Sequence, residues 1–454
     1  MNNLLLLILD NWKAKKLGKP AIVKRQQLRL AEMVKFARQN SPYYKKLYEG
    51  LPENIEDVSL LPATNKKKLM EFFDDWCTDR TVTLSKVREL VSNPDLIGEK
   101  FLGKYTVATT SGTTGSPGIF LLDDRSMSIT SALAFRMLSS WLGFTDVLKI
   151  IAGRGKMAMV MATGGHFASS IAAARMSKSR GKSFLALSAH KPMPELVTAL
   201  NKFRPVLLAP YASMGALLAS EQEAGRLNIK PVLLALSAEG LAESEYIRIA
   251  KAFDSKVGNS YAATECPFFS YSCREGWLHT NSDWVIAEPV DANYKAIPAG
   301  VQSHTVLISN LANRIQPILR YDLGDSIILR PDPCPCGNKL PAIKVTGRSS
   351  DVVNFLNEQG EQVSVPPLAF GILVDHIQGI ERTQIVQTAP TNLKVRLRYS
   401  DATNQDAIWE EVHNAITNLL NERGLNNITV ERASEPPEQS SGGKFREVIP
   451  FKKQ

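Results

Sequence analysis

Apolar positions recur at helical spacing through residues 1–90, and the pattern breaks at Ser41-Pro42 and Leu61-Pro62. This stretch is predicted to be mostly helical. Its first turns, Leu4 to Leu9, form an apolar run closed by Asp10. The run is far shorter than the roughly 20 residues of a membrane span. It lacks the basic lead and small-residue cleavage site of a secretion signal, and is read as the start of an amphipathic helix. Further along, the period changes. Apolar runs at 157–161, 184–187, 206–208 and 232–236 alternate with helical patterns at 168–178, 194–203 and 214–223. Strand–helix alternation predicts an α/β fold with a parallel, doubly wound sheet covered by helices on both faces.

From 277 to 343 the pattern turns to shorter strands and turns, and Pro331, Pro333, Pro335 and Gly337 cluster there. After Gly347-Arg348 a smaller unit begins. Strands are predicted at 351–355, 382–387, 393–399 and 428–431, a turn at 357–360 and a long helix at 402–423. Segment 434–443, rich in Ser, Pro, Glu and Gly, reads as a mobile loop that delivers Lys444. The expected organisation is a large N-terminal domain, 1–346, holding the doubly wound sheet and a β-rich subdomain. A small mobile α+β domain, 347–454, follows.

Hydrophobic residues make up 44% and charged residues 22% of the chain, the balance of an ordinary globular protein. The net charge of +9 suits anionic ligands such as nucleotides or CoA, and suits nucleic acid equally. The Lys and Arg residues are scattered, however, and no nucleic-acid-binding signature is present. No nucleic-acid or membrane partner is expected, and the cytoplasm is the expected compartment. Five cysteines in 454 residues do not make a disulfide framework.

The chemistry starts at residues 109–118, Thr-Thr-Ser-Gly-Thr-Thr-Gly-Ser-Pro-Gly. Gly112 and Gly115 let backbone N–H groups turn inward toward phosphate oxygens. The hydroxyls of Ser111, Thr113, Thr114 and Ser116 can donate to the same oxygens. It is not a Walker A loop, because no Gly-Lys-Ser/Thr ends it. The string resembles the phosphate loop of the adenylate-forming superfamily of acyl-CoA synthetases, adenylation domains and luciferases. Most members carry Lys after the Pro; Gly118 stands there in this chain. The phenylacetate–CoA ligase branch is similar in lacking that Lys, and Ser41-Pro-Tyr-Tyr also looks like that branch.

Further elements of the superfamily follow in its order. Asn259-Ser-Tyr-Ala-Ala-Thr-Glu265 resembles the Tyr-Gly-x-Thr-Glu element. The resemblance implies that Tyr261 lies against adenine, Thr264 donates to the α-phosphate and Glu265 holds Mg²⁺, a cation that prefers oxygen. Ala262 replaces the usual Gly. Ser237, Ala238 and Glu239 fall where the family places an adenine-contacting segment, and Ser237 reads equally as a helix cap. Leu319-Arg-Tyr-Asp-Leu-Gly-Asp325 resembles the Tyr-x-x-Gly-Asp element, which makes Asp325 the acceptor for the ribose hydroxyls. Arg320 is offered a phosphate or Asp322 as partner. Gly347-Arg-Ser-Ser-Asp351 matches the domain-junction element, so Arg348 would contact nucleotide oxygens, with Ser350 in place of the usual hinge Asp. Lys444, in Ser441-Gly-Gly-Lys-Phe-Arg446, would meet the charge developing between carboxylate and α-phosphate as a fully protonated ammonium.

Cys334-Pro-Cys336 is a tight thiolate pair, and Cys273 and His279 lie upstream. Four such ligands suit tetrahedral, structural Zn²⁺; reduced thiols or a redox pair is the competing reading. His166 and Phe167 follow a predicted strand and are candidates for the acyl pocket, with a packing or backbone-bonding role for His166 equally open. Cys266 is assigned no chemistry of its own.

The function implied is ATP- and Mg-dependent activation of a carboxylic acid, aromatic by analogy with the branch, to an acyl-adenylate. Transfer to CoA as a thioester would follow. Transfer to an amine or a carrier protein, and a nucleotide-binding or nucleotidyl-transfer protein without acyl activation, are the alternatives. Such enzymes commonly form homodimers.

Overall fold

In the computed structural model of the chain, which describes residues 3–110, 118–348, 352–365, 367–374, 377–400, 404–439 and 445–451, the first ninety residues are mainly helical. Asn3 caps α1 (Leu4–Leu17) by accepting from the Leu5 N–H. The helix buries only the stripe Leu7, Asn11 and Ala14. α2 (Lys19–Asn40) carries Pro20 in its first turn, where a missing N–H costs nothing, and buries Leu30, Met33, Val34 and Ala37. After several short helices come two strands that the sequence pattern did not reveal. β1 (Tyr105–Thr109) and β2 (Ile119–Leu122) pair antiparallel, and α3 (Asp124–Trp141) follows, capped by Asp123.

The predicted α/β region then appears. After α4 (Phe144–Ala152) come β3 (Met157–Met161), α5 (Ala168–Arg180), β4 (Phe184–Ser188), α6 (Met193–Phe203), β5 (Leu207–Pro210), α7 (Ala212–Glu223), β6 (Leu233–Ser237), α8 (Glu243–Phe253) and β7 (Lys256–Ala263). These five strands are parallel. The sheet continues antiparallel through β8 (Cys266–Ser272), β9 (Leu278–Thr280), β10 (Asp325–Leu329) and β11 (Ala342–Arg348), in the order β10-β11-β9-β8-β7-β6-β5-β3-β4.

The two faces of the parallel part differ. Ala158, Val160, Leu208, Leu234 and Leu236 are buried in one cluster with Leu196 and Leu200 of α6, Leu218 of α7 and Ile249 of α8. On the other face, α5 packs against β3 and β4, and α3 against β7 and β8. Gly258 of β7 permits that second contact, since a Cβ there would meet the Trp141 ring at 2.4 Å. Between α3 and α5, Met157, Met159, Leu207, Ala209 and Ala235 stay only partly buried.

A second sheet combines Thr64–Asn65, Ile318–Asp322, Thr305–Asn310 and Val285–Val290. A buried ion pair joins it to the helices. The Arg136 guanidinium of α3 meets both carboxylate oxygens of Asp283 at 2.7 Å and donates to the Asn11 carbonyl of α1 at 3.1 Å. The small C-terminal domain has its own core, in which Val353, Phe355, Val395, Val412 and Ile416 are fully buried. Its four-stranded sheet contains β12 (Ile380–Ala389) and β13 (Asn392–Tyr399), backed by α9 (Gln405–Asn421).

Candidate active site

Ligands of open α/β sheets collect beyond the carboxyl ends of the strands. A cavity of about 2770 Å³ opens there, and Ser237, Ala238, Glu239, Tyr261, Thr264, Glu265 and Asp325 all line it. Residues widely separated in the chain are thus brought to one surface. The segment 111–117, with Ser111 to Ser116, lies outside the described residues, as do Lys444, residues 440–443 of the loop read before it, and Ser350. The base of the phosphate-loop segment is described: the Thr110 N–H donates to the Gly118 carbonyl at 2.9 Å, and the Gly118 N–H to Thr110 Oγ1 at 2.8 Å.

Ala238 has φ +72°, a left-handed conformation that costs a residue with a Cβ roughly 1–2 kcal/mol. Such strain concentrates at functional sites. Beyond this turn, Glu239 reaches across the cleft. Its Oε2 accepts from the Ser213 N–H at 2.9 Å and its Oε1 from the Phe445 N–H at 2.5 Å. Arg382 of β12 lies over the Phe445 ring at 4.5 Å and donates to the Ser213 carbonyl at 3.1 Å. Burial lowers the Arg382 pKa, and the Glu239 carboxylate opposes that shift. Glu239 therefore holds backbone of both domains, a role no local motif announces.

The Tyr261 hydroxyl donates to Asp325 Oδ2, and its ring packs on Phe269 at 5.3 Å. Asp325 opens β10 directly after Gly324 at φ +77°, and its register partner in β11 is Arg348. Glu265 is buried, and its Oε1 accepts from the Tyr321 hydroxyl at 2.9 Å. Burial, then the Glu265 charge, push the Tyr321 pKa far above its ordinary value, so this hydroxyl remains a donor. Tyr321 was missed as a site residue although it stands within the quoted 319–325 string. Thr264 lines the cavity beside Glu265. Cys266 is fully buried, and burial pushes its thiol far up.

Arg320 sits differently from its sequence reading, and His166 takes the backbone-bonding one of its two. Arg320 meets neither a phosphate position nor Asp322. It pairs with Glu288 at 3.2 Å and donates to the Ser59 and Leu61 carbonyls. Arg320 has φ +48° and lies where the register with the neighbouring strand slips, a bulge that turns its side chain away from the Tyr321–Glu265 contact. Asp322 accepts instead from Tyr294 and Thr305. His166 is buried with Nε2 3.0 Å from the Asn93 carbonyl oxygen, and its neighbour Phe167 lines the cavity.

The ligand atoms of Cys273, His279, Cys334 and Cys336 all lie within 4.8 Å of one another. Cys273 Sγ and Cys334 Sγ are 3.8 Å apart, which is the edge of a tetrahedron of sulfurs about 2.3 Å from a central zinc, ~3.8 Å. His279 Nδ1 contacts the Leu340 carbonyl oxygen at 2.8 Å, which turns Nε2 toward Cys336 Sγ at 3.1 Å. Burial lowers the His279 pKa and so favours the neutral, ligating imidazole. Gly337, at φ +82°, bends the Cys334–Cys336 turn, and the Asn338 N–H points at Cys336 Sγ at 3.4 Å. The donor set and its spacing fit zinc.

Together, the layered sheets and the small domain with its own sheet match the fold of several solved CoA ligases. A 2-hydroxyisobutyryl-CoA ligase in the postadenylation state with R3-HIB-AMP matches with a TM-score of 0.68 at 20% identity, over 95% of this chain and 89% of that one. In its thioesterfication state the same ligase gives 0.56. A benzoate CoA ligase from Burkholderia xenovorans LB400 gives 0.50 at 14% identity, over 75% of this chain and 67% of that one. Protein CapK of Staphylococcus aureus is 22% identical over 411 residues, 89% of this chain and 80% of that protein. No family model matches the chain. Among the described residues, no helix is long and apolar enough to cross a membrane.

Proposed function

We propose that this chain activates a carboxylic acid with ATP as its acyl-adenylate and passes the acyl group to the thiol of CoA. The observation that carries the reading is the convergence of Glu239, Tyr261, Thr264, Glu265 and Asp325 on one cavity, in the order the superfamily uses them. Asp325, held by Tyr261, serves as acceptor for the ribose hydroxyls. Ser237, Ala238 and Glu239 border the adenine, and Ser111 to Ser116 cradle the phosphates. Glu265 offers Mg²⁺ a carboxylate oxygen positioned by Tyr321. Arg348 contacts nucleotide oxygens, and Phe167 bounds the acyl pocket, with His166 fixing its loop.

In the first step a carboxylate oxygen attacks the α-phosphorus. The P–O bond to the β-phosphate breaks, and pyrophosphate leaves with the electron pair. Lys444 stabilises the charge on the reacting oxygens. In the second step the thiol attacks the acyl carbon, AMP leaves and the thiol proton passes to solvent. The better match to a postadenylation structure supports reading the Glu239–Phe445 contact as belonging to the first step. Domains 1–346 and 347–454 would reorient about Gly347–Asp351 between the steps. Zinc, held by Cys273, His279, Cys334 and Cys336, has a structural role away from this chemistry.

The test is carboxylate-dependent exchange of pyrophosphate into ATP, with Lys444→Ala as control, followed by CoA, amines and carrier proteins as acceptors. Exchange with an acid, lost in the variant, is the expected outcome. Tight Mg·ATP binding with no exchange across a broad panel of acids would sink it.

A further inference from the structure

A parallel sheet in this architecture is normally covered on both faces. Here one face is sealed by α6, α7 and α8, while the other is covered only at its margins by α3 and α5. The strip between them is apolar. Parallel pairing sets Met157 beside Leu207, Met159 beside Ala209 and Leu207 beside Leu233, so their side chains share this face with Ala235. All six line the same cavity as Glu265 and Asp325. Ala134 and Leu138 of α3 form one wall, and Ala172 and Met176 of α5 the other. The floor runs back from the carboxyl ends of the strands, where the adenylate residues sit, to their amino ends at Met157 and Leu207. Five strand residues give it a length of roughly 16 Å.

Nothing charged lies on this floor, and an aryl ring would occupy only its first part. Resting on the acyl-activation reading, we propose that the groove binds the hydrocarbon chain of the acid, and that the substrate is an aliphatic acid of medium to long chain. The chain lies along β3, β5 and β6, with its carboxylate at the Glu265 end. Small side chains at Ala134, Ala172, Ala209 and Ala235 leave room for it, and the methionines supply a surface that adapts to a flexible chain.

The experiment measures kcat/KM for pyrophosphate exchange with butanoate, octanoate, dodecanoate, benzoate and phenylacetate. In parallel, direct binding of dodecanoate is measured without ATP. Burial of each added methylene is expected to raise kcat/KM about fourfold until the groove is filled. Ala172→Phe, at an exposed helical position, and Leu207→Trp, on the floor, should lower dodecanoate turnover more than tenfold while leaving butanoate within about twofold. Unchanged butanoate turnover also reports that each variant is folded. Activity confined to the aryl acids, or no dependence on chain length, overturns the groove assignment and leaves acyl activation standing. Dodecanoate binding that both variants abolish, without exchange for any acid, overturns acyl activation and leaves the groove as a hydrocarbon site.

Discussion

Replacing Cys336 by serine, or stripping the site with a strong chelator, should loosen the chain by an amount set by the loop it closes. Cys273 and Cys334 are separated by 61 residues, and their Sγ atoms are 3.8 Å apart. Closing a loop of that length in the unfolded chain is worth about 4 kcal/mol in the chain-entropy treatment of cross-links. Metal–ligand bonding adds to this, and any metal held by the unfolded thiols subtracts from it. If the chain unfolds as one unit, with an unfolding entropy of about 2.1 cal/mol/K per residue, the midpoint falls by about 4 °C. The assay pairs metal analysis of the purified protein with calorimetry of wild type, chelated wild type and Cys336→Ser. One zinc per chain is expected, with similar losses for both perturbations and recovery on adding zinc to the wild type alone. A preparation folded in the presence of zinc but carrying none would refute the site. So would an unchanged midpoint in both perturbed forms.

Other perturbations separate the remaining contacts. Arg136→Met leaves the fully buried Asp283 carboxylate with only Arg29, 3.8 Å away, and should cost about 3 kcal/mol, read by urea denaturation. Changing both partners, Arg136→Met with Asp283→Leu, should recover much of that loss. Tyr321→Phe removes the hydroxyl that fixes Glu265 and should raise the Mg²⁺ concentration needed for half-maximal exchange, with the fold intact by circular dichroism. Glu239→Gln keeps an acceptor oxygen but removes the charge facing Arg382. Exchange should therefore weaken about tenfold, in line with a charged hydrogen bond of roughly 1.5–3 kcal/mol, and the small domain should become easier to cleave near residue 440.

Much of the parallel sheet was legible because strands buried between layers read as continuous apolar runs. The expected 157–161 coincides with β3, and 184–187 and 232–236 each lie within one residue of the strand ends observed. The hairpin of β1 and β2 was invisible for the opposite reason. Ile119, Phe120, Leu121 and Leu122 make an apolar run of only four residues, too short to stand out, and the Ser/Thr/Gly run beside them reads only as a loop. Site chemistry followed the same division. Glu265, Asp325 and the Cys/His cluster were legible as residue types in short strings. Glu239 was legible in the same way but its partners were not, since Arg382 and Phe445 meet it only through tertiary structure. Arg320 was misread because the bulge that redirects its side chain depends on the neighbouring strand and leaves no mark in the local string.

One strand ties two of these features into a mechanical unit. β11 starts with Ala342 opposite His279 of the Cys/His cluster and ends with Gly347 and Arg348 opposite Ser326 and Asp325. β9 ladders its first two residues and β10 runs beside it from Ile343 to Arg348, with one irregularity between Val345 and Gly347, so bending it would break hydrogen bonds to β10. The cluster thus acts as an abutment at one end of a stiff beam. Compliance begins only at Gly347, whose φ of +117° no side-chain-bearing residue adopts readily. The reorientation proposed for the small domain would accordingly load the peptide next to Asp325 first.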